Sequence, residues 1–436
     1  MTSADSPAGA PADGVVRPHP TEPGRAEARL TAPAVQNHAA NLAVLPGGDL
    51  GCVWFAGTQE GVADISVWFS RLAPDGERWS TPVRLSDDSA RSEQNPVLFP
   101  TPEGALWLLH TAQRAGHQDT SGVRLRISED GGKSWGPARV LFPADSRGGI
   151  YVRQPVAVLP SGRWLLPVFR CVTAAGRPWS GGDDTSSVMV SDDAGRSWEE
   201  RPVPGSTGLV HMNAHPLPDG SLLALFRSRR ADAVHRSTSD DGGWTWTVPE
   251  PLTVPNNNSS LQYVPWDDGR LALVHNHSSA ADATARRVSL YDEIDDEGLS
   301  DEDQGKDEGT GDAADAEATE TDAEATESDP PTGAAFWGAP RAPLTLSVSS
   351  DGGRSWPVRH DLATGDGYCL TNNSRDGLNR ELSYPSVVRT GDGALHIAFT
   401  HHRRTLTYLR LDPVWTGAAG DGAGVNGGSV NGERTE

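Results

Sequence analysis

The chain has 436 residues, 36 % of them hydrophobic, and a formal charge of −22 at pH 7. That apolar content supports a substantial core, in one large domain or in two to three small ones. Between Asp292 and Asp329 lie 18 acidic residues and one lysine, a net of −17 that leaves −5 for the rest; the folded part is mildly acidic and has no basic stripe for nucleic acid.

Residues 1–30 lack the apolar run of a signal peptide, and no window reaches the ~18 apolar residues of a membrane span. A cytoplasmic chain with no membrane or nucleic-acid partner is expected. Residues 1–30 read as a disordered segment, 31–415 as the folded domain, 292–332 as an acidic disordered insertion within it, and 416–436 as a flexible glycine-rich tail. Cys52, Cys171 and Cys369 are too few and too scattered for a disulfide framework or a four-cysteine zinc site. No phosphate-cradling glycine loop or metal-spaced His/Cys cluster occurs, so neither a cofactor nor a metal is expected.

Along the chain, six apolar pairs flank a glycine turn: AVLPGGDLGCVWF, LFPTPEGALWLLH, AVLPSGRWLLPVF, HPLPDGSLLALF, YVPWDDGRLALVH and VVRTGDGALHIAF, with turns at Gly48, Gly104, Gly162, Gly220, Gly269 and Gly393. Each reads as a β-hairpin. One further motif follows each of the first five: LAPDGERW ending at Trp79, SEDGGKSW at Trp135, SDDAGRSW at Trp198, SDDGGWTW at Trp246 and SSDGGRSW at Trp356. An inner and an outer hairpin about every 50 residues make a four-stranded blade, and six of them predict an all-β, six-bladed β-propeller closed without a free sheet edge. A β-sandwich array would not need such regular alternation. In the recurring motif the aspartate can bond its own turn, the glycines take positive φ and the tryptophan packs between neighbouring sheets. The carboxylate that would complete a calcium loop at its twelfth position is missing.

These motifs resemble the Asp-box, or BNR, repeats of the sialidase (neuraminidase) superfamily, and the chain as a whole is similar to its sialidase-like branch over roughly residues 30 to 412, apart from the insertion. The resemblance implies a propeller with Asp-box hairpins that handles a carbohydrate substrate. Asp-boxes mark the fold more strongly than the activity.

If the glycine turns mark one end of each blade, the strand starts and returns meet at the other. There stand Asn37 and His38, Asn95, Arg153 and Gln154, His211 and Asn213, Asn258, and Glu381 to Tyr384; the returns bring Glu60, Arg170, Arg227 and Asn276. In a closed propeller these ends surround one axial mouth. A polar pocket rich in guanidinium, imidazole and amide groups suits a sugar bearing an acid group, because guanidinium forks grip carboxylates at two points.

The resemblance assigns roles. Arg227, in DGSLLALFR, and Arg341, in RAPLTLSVSSDGGRSW, resemble two members of the family's arginine triad, and Tyr384, in ELSYPSVV, resembles its tyrosine nucleophile. Asp64 and Glu60, in FAGTQEGVADISVWF, lie near the place of its acid/base aspartate. A phenol needs a base or nearby cations to act at neutral pH, and Glu381 or the arginines are candidates. Two departures stand out. The first triad arginine is replaced by QNHAAN, Gln36 to Asn41, leaving Arg153 as a possible substitute, and the glutamate that activates the tyrosine is replaced by HMNAH, His211 to His215.

Three functions follow: an exo-acting glycosidase on a terminal acidic sugar, a lyase or hydrolase on uronic-acid-linked glycans with His211 or His215 as base, and a carbohydrate-binding propeller without catalysis.

Overall fold

Six antiparallel sheets appear in the computed structural model, which describes residues 11–173, 179–266, 269–287, 334–372 and 374–415. The acidic insertion and the glycine-rich tail expected from sequence lie outside the described residues. Blade one is built from Gln36–Val44, Leu50–Gly57, Ser66–Leu72 and Val83–Arg84, each strand paired with the next. Blades two, four and five repeat this meander, and blade three differs only in that its inner strand breaks into Gly149–Val152 and Ala157–Val158. The six-bladed propeller expected from the hairpin series is the observed fold. Among the described residues no helix is long and apolar enough to cross a membrane.

The recurring motif joins the third strand to the fourth, and its chemistry is local. Asp130 accepts from the backbone N–H of Ser134 (2.8 Å) and from the Ser128 hydroxyl (2.8 Å), which in turn accepts from the Gly132 N–H (2.7 Å). Asp193, Asp241 and Asp351 repeat the pattern. Glycine is required at its last turn position: Gly353 has φ 77°, and a Cβ there would stand 2.6 Å from Leu223 of the preceding blade. The motif tryptophans pack into the apolar layers between blades, Trp246 between blades three and four and Trp356 between four and five.

Five motifs serve six blades because the sixth is completed differently. Blade six contains Leu382–Arg389, Leu395–His401 and Thr405–Leu411, and its outer strand is Arg25–Arg29, which lies upstream of blade one. Arg25 also donates to the Leu362 carbonyl of blade five (2.9 Å). Part of the segment read as disordered is therefore the ring's closing strand. Deleting residues 11–29 exposes the Thr405–Leu411 edge, and is expected to lower the unfolding midpoint by roughly 10 °C or more; an unchanged melt would mean the strand adds nothing to closure.

Candidate functional site

The inner strands do not enter the mouth as regular strands. In blades one, two, four and six the register slips between His38 and Asn41, Gln94 and Val97, Val210 and Asn213, and Ser383 and Ser386. At each slip one residue takes a left-handed backbone: Ala39 (φ 62°), Asn95 (48°), His211 (53°) and Tyr384 (53°). Such a conformation costs a bulky residue about 1–3 kcal/mol and persists where its surroundings hold it, commonly at functional sites.

At the axis Tyr384 is the hub. Its ring centroid lies 4.2 Å from that of His38 and 5.7 Å from that of His211. The guanidiniums of Arg153, Arg227 and Arg341 stand 5.2, 5.6 and 5.6 Å from the ring. Arg227 donates through Nη1 to the phenol oxygen (2.6 Å) and through Nε to Asn258 Oδ1 (2.8 Å). Behind this pair Glu381 receives Arg341 Nη1 on one oxygen (2.7 Å) and Arg403 Nε on the other (2.6 Å), while Arg403 also donates to Glu60. His38 Nδ1 is 2.8 Å from the Thr400 hydroxyl and 3.4 Å from Glu381. Arg227, Arg403 and Glu381 are almost fully buried, and Tyr384 retains 8 % exposure.

Among the described residues four guanidiniums face two carboxylates, a local surplus of two positive charges. Burial would raise the Glu381 carboxyl, but Arg403 and Arg341 outweigh it and hold it below the usual range. Burial pushes Arg227 down to about 9 and Arg153 down to about 10, and among the described residues neither has a carboxylate partner to oppose it; both remain charged at neutral pH. Burial and then the surrounding arginines push His38 and His211 well below the ordinary imidazole value, so both rings are neutral.

Several expected pocket residues are engaged within the protein. Arg153 does reach across from blade three, but its guanidinium donates to the carbonyls of Ala40 (3.0 Å) and Tyr384 (3.2 Å), fixing blades one and six together. Arg170 turns outward to Glu200 (2.8 Å) and Asp145 (3.3 Å). The amides join strands and blades: Asn213 accepts from the Tyr263 N–H (2.8 Å), Gln154 donates to the Leu261 carbonyl (2.7 Å), Asn276 to that of Leu382 (2.7 Å), and Asn37 to that of Arg404 (2.8 Å). Asn258 orients Arg227 and donates to the Phe336 carbonyl (2.8 Å). Asn95 sits at its blade's register slip.

The loop between Gly57 and Ser66 separates the two acid candidates. Glu60 turns inward to Arg403, whereas Asp64 is exposed and accepts from the Thr58 N–H (3.0 Å). Glu381 is not hydrogen-bonded to the phenol; an arginine is, so of the two candidates considered for assisting Tyr384 the geometry brings up the guanidinium. Arg403 was missed, because in HHRR it follows the strand end and enters the site from a turn, with φ 53°. His401 ends its strand, the turn begins at His402, and the two rings stack at 4.1 Å. Among the described residues no group of three or more His, Cys, Asp or Glu is placed to hold a metal.

Residues 48–397 match the model of the BNR repeat-like domain. No curated protein matches the chain. Among solved structures, the Hadza microbial sialidase Hz136 superposes with a TM-score of 0.60 at 14 % identity, covering 87 % of this chain and 66 % of that one. The chain thus spans just under two thirds of that sialidase. A protein of unknown function from Dyadobacter fermentans also gives 0.60 at 14 % identity, covering 89 % and 99 %. The intramolecular trans-sialidase from Ruminococcus gnavus, solved with oseltamivir carboxylate, gives 0.59 at 13 % identity, covering 93 % and 99 %. At such identities the likeness is one of fold.

Proposed function

Because the chain belongs to the BNR repeat-like family, we propose that it is an exo-acting glycoside hydrolase of the sialidase-like type, releasing a terminal acidic sugar, sialic acid or a relative, from a glycan. One observation carries this reading: among the described residues Arg227 is a buried cation without a carboxylate partner, donating to the Tyr384 phenol in a cluster with surplus positive charge. Burying an unpaired charge is costly, and a substrate carboxylate would supply the missing anion.

In this reading Tyr384 Oη, its proton already released to solvent and its negative charge held by Arg227, attacks the anomeric carbon as the glycosidic C–O bond breaks, and the leaving oxygen takes a proton from Asp64. Water then attacks the same carbon, returns a proton to Asp64 and releases the phenol oxygen. Arg227 stabilises negative charge at that oxygen, with Arg341 and Arg403 held in place by Glu381. Glu60 is tied to Arg403 and so fits the acid role less well than exposed Asp64. Elimination with a histidine base is disfavoured at His211: its Nε2 lies 3.4 Å from Arg227 Nη1, and a proton taken up there would add another cation to four guanidiniums.

The test is release of free sugar from terminally sialylated, glucuronylated and rhamnosylated glycans, comparing wild type with Arg227→Ala. Release of an acidic sugar, reduced at least about a hundredfold in the variant, is expected. Binding without release would favour a non-catalytic propeller, and an unsaturated product absorbing in the ultraviolet would favour a lyase.

A further inference from the structure

The register slips of blades one and six each take two residues out of the regular ladder: pairing skips Ala39 and Ala40 in the first, and Tyr384 and Pro385 in the second. A buried carbonyl without a donor costs about as much as a lost hydrogen bond, so these four must be satisfied by something other than the neighbouring strand. Tyr384 carries a second strain. It precedes a proline, which drives a residue towards extended backbone, yet its φ is 53°.

One guanidinium meets all four carbonyls. Arg153 is 2 % exposed, with Nη1 3.4 Å from the Ala39 oxygen and Nη2 3.0, 3.2 and 3.5 Å from those of Ala40, Tyr384 and Pro385. The distances are spread because two nitrogens serve four acceptors. Its Nε lies 3.3 Å from the Ser260 hydroxyl, at the entry to blade five, and the next residue, Gln154, donates to the Leu261 carbonyl there. Blade three's inner strand breaks after Val152, and the break releases Arg153 and Gln154 to cross the axis.

These contacts turn the Arg153 guanidinium to backbone, 5.2 Å from the Tyr384 ring, whereas Arg227 bonds the phenol oxygen itself. We propose that Arg153 is a positioning residue: it holds the left-handed turns at Ala39 and Tyr384 so that the phenol is presented to Arg227, and it does not grip the acid group of a substrate. The catalytic part of this assignment rests on Tyr384 being the nucleophile. Without Arg153 the four carbonyls lose their shared donor, the turns relax and the phenol leaves Arg227.

Fluorine NMR of the intact chain labelled with 3-fluorotyrosine follows Tyr384 without substrate, its resonance being the one missing from Tyr384→Phe. Arg153→Met removes every donor while keeping an unbranched side chain, and should move that resonance towards the position of free fluorotyrosine. A resonance left in place in the folded variant overturns the assignment. If Arg153→Met does not fold, Arg153→Lys carries the same test: a single ammonium cannot span all four carbonyls, so the resonance should still move, and one left in place overturns the assignment. On any glycan that is cleaved, the folded variant should lose about a hundredfold in kcat with KM within about threefold of wild type. A raised KM with kcat kept would mean that Arg153 grips substrate, and overturns it too. Because the fluorine measurement needs no turnover, a displaced resonance in a chain that cleaves no glycan would support the positioning role and count against the hydrolase reading alone.

Discussion

Replacing Glu381 with alanine should destabilise the protein by about 3–5 kcal/mol, the cost of leaving buried guanidiniums without their carboxylate. Glu381 holds Arg341 at 2.7 Å and Arg403 at 2.6 Å and is fully buried, so water cannot take its place without the mouth opening. Its effect has a sign in pH. Because the folded carboxyl lies below its unfolded value, its contribution is full above the unfolded carboxylate value and is lost as pH falls through the folded one. Glu381→Gln should therefore flatten the acid side of the stability profile as well as lower it. Urea unfolding across pH measures both, and a loss under about 1 kcal/mol would mean that the arginines find other partners.

Tyr384→Phe should reduce kcat by at least about a thousandfold on whichever glycan is cleaved, with a small change in unfolding midpoint. Phenylalanine keeps the ring between His38 and His211 and the three guanidiniums near it, and removes only the oxygen that Arg227 bonds. That separation makes the variant informative. Full turnover in a folded variant would exclude the phenol as nucleophile, while a lost fold would show that the hydroxyl serves mainly to satisfy Arg227.

The blades were legible because their signals are local. A turn glycine between apolar strands and an aspartate that bonds its own loop need no distant partner, and they repeat. The closing strand was not legible: RAEAR is short, only its Arg25 and Ala28 are buried, and its partner lies near the other end of the chain. The same contrast runs through the site. Placing polar residues at the mouth drew Arg227, Tyr384 and Glu381 together, and the family resemblance added Arg341, yet the placement could not separate residues that face the axis from amides that join strands and blades, as Asn213 and Asn276 do. That distinction depends on the register slips, and nothing in the local sequence around Ala39 or Tyr384 announces a left-handed backbone.

The closing strand also bears on timing during synthesis. Blade six carries Tyr384 and the strand ends that hold Glu381 and Arg403, so the chemistry-bearing residues are among the last of the fold to be made. Their sheet joins a strand that was made before blade one. Until the two meet, the arginines from blades three and four have no tyrosine to surround. Assembly of the centre and completion of the ring are then one late, cooperative event, and a chain interrupted before blade six would hold most of the fold and the arginines of blades three to five without Tyr384, Glu381 or Arg403.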